Sequence, residues 1–211
     1  MVKFLMLLSF VFSLYAYAVP IQPAYYNMQN GETGSYLYWD ETYTGSGNKS
    51  ASLSWLTGGL GDLTNGVLAT NNWNVDEAQV GSGPYVGWYS ITPVITFHFA
   101  GPVSINKIRI HADHSNGSGG VSLPGSIQVA ASGFDQTFAV TNTTGDYAPR
   151  WIDLQGFLLN NIQSLSITIY DGAAQWVFIS EVAFEGTVPE PASWMILSIS
   201  IGLYLLAKHK K

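Results

Sequence analysis

Between residues 19 and 187, no stretch of this 211-residue chain sustains the 3.6-residue apolar period of an amphipathic helix. Apolar residues there alternate, or come in short bursts divided by Gly, Asn and Pro. Residues 94–99 read Val-Ile-Thr-Phe-His-Phe and are closed by Gly101-Pro102. Residues 105–111 read Ile-Asn-Lys-Ile-Arg-Ile-His, a strict alternation that predicts one buried and one wet face. Residues 35–39, 126–130, 134–140, 151–154, 165–170 and 176–185 have the same strand character. Many short strands joined by turn formers predict an all-β fold, a single β-sandwich or jelly roll.

Composition narrows the chemistry. Charged residues make up only 10% of the chain and aromatics 14%, too apolar a balance for a disordered protein. There is no cysteine, so disulfides, thiolate metal sites and cysteine nucleophiles are excluded. Residues 19–188 hold four cations (Lys49, Lys107, Arg109 and Arg150) against thirteen acids, a net charge of −9. A domain so acidic, with no basic cluster, predicts no nucleic-acid partner.

The remaining cations sit at the two ends. Lys3 precedes an apolar run over residues 4–15, then Ala16-Tyr17-Ala18. A cation, an apolar run of about a dozen residues and small residues at the cut are the parts of a secretory signal peptide. Residues 1–18 are therefore expected to be removed after Ala18 by signal peptidase, once the secretion machinery has engaged them. At the other end, Val188-Pro189-Glu190-Pro191 leads through Trp194 into an apolar run over residues 195–207 and then Lys208-His209-Lys210-Lys211. The two prolines remove amide donors and hold this stretch extended, which keeps it available to an enzyme. The apolar run suits a bilayer, and the lysines would hold its end on the cytoplasmic side.

Residues 188–211 resemble the PEP-CTERM sorting signal, a Pro-Glu-Pro followed by a hydrophobic helix and a basic end. The resemblance implies an exosortase as partner. It also implies attachment to the inner membrane through a short carboxy-terminal helix before processing, and delivery to the cell envelope or an extracellular matrix. The domain expectation is thus a signal peptide at 1–18, a β-sandwich at 19–187 with its core at about 32–186, and a sorting segment at 188–211.

The order of motifs in the middle is similar to the discoidin, coagulation-factor C-type family of galactose-binding-like jelly rolls. The resemblance rests on Leu63-Thr64-Asn65-Gly66, the apolar strand with Ile95, Phe97 and Phe99, the strand with Ile105, Ile108 and Ile110, and the closing Ile179-Ser180-Glu181-Val182-Ala183-Phe184-Glu185-Gly186. Asn65 departs from the family's usual Asp. The family often holds a structural calcium ion between this turn and the acid of the last strand, which implies Asp62, Asn65 and Glu181 as ligands; oxygen donors of this kind suit a hard cation. The alternative is that Asp62 and Asn65 cap a turn and Glu181 is solvated. No other cofactor is indicated.

For function, three readings stand. In the first, the domain is a non-catalytic carbohydrate-binding or exopolysaccharide-binding module at the cell surface. Trp73, Tyr85 and Trp88 are then candidate stacking surfaces for sugar rings, and Arg150 beside Trp151 marks a second ligand edge. Large aromatics also fill sandwich cores, the preferred reading for most of them. In the second, the protein is an envelope glycan hydrolase, but no spacing singles out a nucleophile or a carboxylate pair. In the third, it is a structural matrix protein without a specific ligand. His111, Asp113 and His114 could ligate a metal but are read as exposed loop residues, and His98 is expected to face away from Phe97 and Phe99.

Overall fold

The computed structural model describes residues 19–77, 83–142 and 147–187. Ala16 and Ala18 of the signal segment and the sorting residues Val188, Pro189, Glu190 and Pro191 lie outside the described residues. Among the described residues there are nine strands: β1 (Val19–Ile21), β2 (Tyr25–Gln29), β3 (Trp55–Gly59), β4 (Val86–Tyr89), β5 (Val94–Ala112), β6 (Ser126–Ala131), β7 (Phe134–Ala139), β8 (Arg150–Tyr170) and β9 (Trp176–Thr187). A four-residue helix, α1 (Trp73–Asp76), lies between β3 and β4. The strands form one curled antiparallel sheet in the order β1-β9-β5-β8-β6-β7, with β2 against β3 and β5, and β4 against β9. This is the all-β jelly roll expected from the alternation.

The two strands expected on either side of Gly101-Pro102 are a single bent strand. The first part of β5 pairs with β2 and β8, and its second part with β9 and β8. Register shifts between His98 and Ile105 absorb the proline, which has no amide to donate and is tolerated at a bulge. Residues 151–154 and 165–170 likewise belong to one strand, β8.

The strict alternation expected over residues 105–111 is also broken by a bulge. Ile105 and Ile108 differ in parity, yet both are buried together with Ile110. The register shift between Ile105 and Lys107 inserts one residue, and this returns the later isoleucines to the inner face. Lys107 and Arg109 are thereby turned outward, where both reach Asp153. The inner face packs Phe97 against Phe184 at 4.9 Å and against Tyr26 at 5.6 Å, with Ile95, Ile127, Val129, Ile167 and Val182 around them.

Residues 35–39 are not a strand. They form a turn in which Tyr38 N–H donates to Glu32 O at 3.0 Å and Tyr38 O accepts from Gly87 N–H at 3.1 Å. Alternation there reflects aromatics turned into a second, smaller cluster. Strands β1 to β4 were not expected; they are 3 to 5 residues long and draw their order from longer neighbours.

Candidate functional site

The second cluster lies where β9 begins and gathers segments far apart in sequence. Tyr38, Ala69, Tyr85, Val121 and Phe178 are its buried members, and Tyr36, Trp73 and Trp176 pack on them half-exposed. Trp176 and Phe178 stand two residues apart on β9, so both rings project from the same side of the strand. Their centroids are 5.3 Å apart with planes at 6°, and Trp73 lies 6.3 Å from Phe178 at 18°. Tyr38 meets Phe178 edge-on at 4.5 Å. The result is a row of near-parallel rings whose outer members reach solvent.

Glycines open the rim. A Cβ at Gly34 would come within 2.9 Å of the Trp176 ring, and one at Gly119 within 2.2 Å of the Trp73 ring; Gly119 also has φ of 65°. Together with Ser35 they frame a shallow cleft of about 60 Å³ lined by aromatic faces. Trp73 is held there by α1, whose first turn is capped from another loop: Trp73 N–H donates to Asp113 Oδ2 at 2.6 Å. Asp113 is fully buried and accepts Ser115 Oγ at 2.6 Å as well. Among the described residues, no carboxylate or imidazole lines the cleft itself.

A larger groove of about 370 Å³ adjoins it. The groove lies between the end of β7, with Phe138, Val140 and Thr141, and the start of β8, with Arg150, Trp151, Asp153 and Gln155. The segment from Val121 to Leu123 separates the two recesses, lining the cleft with Val121 and the groove with Leu123. Trp151 carries Arg109 over its face at 4.5 Å and His111 against its edge at 5.0 Å.

The candidate ligand residues therefore separate. Trp73 lines the cleft and Arg150 the groove. Tyr85 and Trp88 are corrected to core: both have 0% exposure and present no face to a ligand. Tyr85 donates its hydroxyl to Asn71 O at 2.8 Å, and Trp88 donates its indole N–H to Gln29 O at 3.1 Å, so each polar tip is satisfied internally. Sequence reasoning missed Tyr38, Trp176 and Phe178. Their only signal was an aromatic pair at i and i+2 opening an expected strand. His111, Asp113 and His114 are buried rather than exposed on a loop. His111 Nδ1 lies 2.7 Å from Ser180 Oγ, and burial beside Arg109 lowers its pKa. His98 does face away from Phe97 and Phe99, stacked on Tyr25 at 4.4 Å.

Asp62, Asn65 and Glu181 do come together around one turn, a short 3-10 segment at Asp62–Thr64. Both Asp62 oxygens, the Asn65 carbonyl and Glu181 Oε2, however, accept from protein donors. Asp62 accepts from Thr42 Oγ1 at 2.6 Å, Glu41 N–H at 3.0 Å and Asn65 Nδ2 at 3.0 Å. Asn65 turns its carbonyl to Val67 N–H at 2.7 Å, and Glu181 Oε2 accepts from Gly66 N–H at 2.9 Å. Glu181 joins the turn instead of being solvated; burial lifts its carboxyl to about 7. Among the described residues no three His, Asp or Glu side chains are grouped to hold a metal. The donor set therefore does not fit a calcium ion, and the turn is closed by hydrogen bonds.

Other buried acids serve the same end. Asp40 accepts from the Tyr26 hydroxyl and from Asp62 N–H, and Glu77 accepts from Tyr85 N–H at 2.8 Å. Burial, aided by the charge of Asp62, pushes Asp40 up to about 7 and Glu77 to about 8.

No curated protein matches the chain. Among solved structures it is similar to truncated AlyQ with CBM32 and alginate lyase domains, at 10% identity and a TM-score of 0.48, over 83% of this chain and 35% of that one. It spans only about a third of that two-domain protein. It is also similar to the family 32 carbohydrate-binding module of C. perfringens NanJ in complex with galactose, at 11% identity and a TM-score of 0.32, over 48% of this chain and 75% of that one. A third likeness is to the fucolectin of Morone saxatilis serum, at 14% identity and a TM-score of 0.38, covering 60% and 40%. The family model for the discoidin domain-containing receptor 1/2, DS-like domain, matches residues 14–186, and with the jelly roll, its bulged strands and its closing strand β9 the chain belongs to that family.

Proposed function

We propose that this chain is an exported cell-surface or extracellular-matrix protein that binds carbohydrate without turning it over. The observation that carries the binding reading is the aromatic row of Trp73, Phe178 and Trp176, with its outer rings half-exposed behind a rim of Gly34, Ser35 and Gly119. Flat rings of this kind stack on the C–H faces of sugars, and the neighbouring groove offers Thr141, Arg150, Asp153 and Gln155 to hydroxyls. A cleft about 60 Å³ in volume receives one ring face, which suits the end or a single unit of a polysaccharide.

Export and sorting rest on the two ends of the sequence. Signal peptidase acting after Ala18, and an exosortase acting at residues 188–191, would leave a domain of residues 19–187. Two measurements test the whole. The intact mass of protein recovered outside the cells is expected to correspond to loss of residues 1–18 and of the tail. The same protein on exopolysaccharide resin is expected to be retained, with Trp176→Ala weakening retention about tenfold at an unchanged fold. Failure of any glycan to retain it would leave a matrix protein without a sugar ligand, and turnover of the polysaccharide would make it a hydrolase.

A further inference from the structure

The shortest strand brings the two ends of the described domain together. β1 is paired with the far end of β9, Val19 opposite Gly186, Pro20 opposite Glu185 and Ile21 opposite Phe184. Antiparallel partners lie about 5 Å apart. Ile21 is buried in the main core, so the strand is docked by packing as well as by its ladder. Val19, which follows the expected signal cut, therefore sits opposite Gly186, two residues before the sorting segment. Trp176 and Phe178 stand at the other end of β9. Ten residues of strand separate Trp176 from Gly186, which at about 3.3 Å per residue places them roughly 30 Å apart.

We infer that, while the tail is retained, the β1–β9 end of the domain faces the membrane and the aromatic cleft points away from it. This rests on the reading of the tail as a membrane-entering segment. From Thr187 to the apolar run that starts at Met195 there are too few residues to reverse the domain: eight residues reach at most about 26–29 Å when fully extended, less than the run of β9 from Gly186 to Trp176. Val19 and Gly186 hold the two ends of the domain side by side. After the cut, β9 keeps the new amino end beside the tail, clear of the cleft. The site is thus presented outward to polysaccharide throughout processing.

The chain has no cysteine, so single cysteines give unambiguous labels. Asn106 is exposed and adjoins Ile105, the partner of Gly186; Ser118 is exposed at the cleft end. The full chain carrying Asn106→Cys or Ser118→Cys would be labelled with a donor dye and reconstituted into vesicles containing an acceptor lipid. Energy transfer to the lipid is expected to be at least twofold higher from position 106 than from 118. Equal or reversed transfer from a chain that floats with the vesicles overturns the orientation. A chain that does not float overturns the tail reading itself, so the two failures are separable. A second variant checks the strand: Pro20→Cys with Glu185→Cys is expected to close a disulfide on mild oxidation, because directly opposed residues meet the geometric need. Two free thiols in the folded chain would mean that β1 does not hold the amino end at that place.

Discussion

From β5 to β9 the backbone satisfies itself by ladder: thirteen residue pairs join β5 to β8 alone. From β2 to β4 the chain is closed by side chains. Asn30 Oδ1 accepts from Gly31 and Asp40 N–H, Asp40 from Asp62 N–H, Asp62 from Glu41 N–H, and Glu77 from Tyr85 N–H. The first construction stabilises by apolar burial, and the second by acids placed where loop amides lack a strand partner. The difference teaches where each will fail. Loss of volume should hurt the ladder half, while loss or ionisation of an acceptor should hurt the loop half, which is also the half that supplies Trp73 and Tyr38 to the cleft.

The largest effect is expected at Phe97, buried between Tyr26 and Phe184. Phe97→Ala should cost about 3–5 kcal/mol in denaturant unfolding, the usual penalty for an aromatic removed from a packed core. A loss below about 1 kcal/mol would mean that the ladder half does not depend on its core. Asp40→Ala is next. It leaves the Tyr26 hydroxyl and Asp62 N–H without their acceptor, at about 1–3 kcal/mol for each buried group. Asp40→Asn keeps a carbonyl at the site and should lose less than half as much at pH 5.

The acids also give the comparison a pH axis. Asp40 and Glu181 are lifted to about 7 and Glu77 to about 8, chiefly by burial. Unfolded, they would release protons near their ordinary values of about 4. The folded chain then binds more protons than the unfolded one between these limits, so stability falls as pH rises. The contribution is complete below about pH 4 and is lost as pH passes 7 to 8. The melting temperature should accordingly drop from pH 5 to pH 8, and less steeply in Asp40→Asn. Asp153 in the ladder half behaves oppositely: although burial opposes it, hydrogen bonds from Arg109 and Lys107 hold its carboxyl low. Its contribution is lost only as pH falls below the usual carboxylate range, outside this window. A flat or rising profile from pH 5 to 8 would break the account of the loop half.

The same division explains what could be read from the residues alone. Alternation exposed β5 to β9 because one face of each strand is apolar, and the jelly roll followed from their number and spacing. It did not expose the bulge after Ile105, since an inserted residue changes which face a side chain takes without changing the composition. The loop half offered no period at all. Tyr38 was mistaken for a strand residue, and Tyr85 and Trp88 for ligand surfaces, because an aromatic beside glycines has the same local sequence whether its ring is core or rim. Trp73 was found by its setting among Asn residues. Trp176 was passed over because β9 accounted for it as a strand residue.

The smallest effect expected is from calcium, and it bears on the meaning of the acids. Had Asp62, Asn65 and Glu181 formed a calcium shell, the ion would stabilise the folded chain by about 2.7 kcal/mol at a hundred times its dissociation constant. In this turn the oxygens are taken by Thr42, Glu41, Asn65, Val67 and Gly66. Melting at pH 7 with millimolar calcium and with chelator should therefore give the same midpoint. A rise of several degrees with calcium would show that a cation can displace these donors, and it would also flatten the fall in stability between pH 5 and 8. The two measurements together separate acids that are held neutral by burial from acids that await a counter-charge.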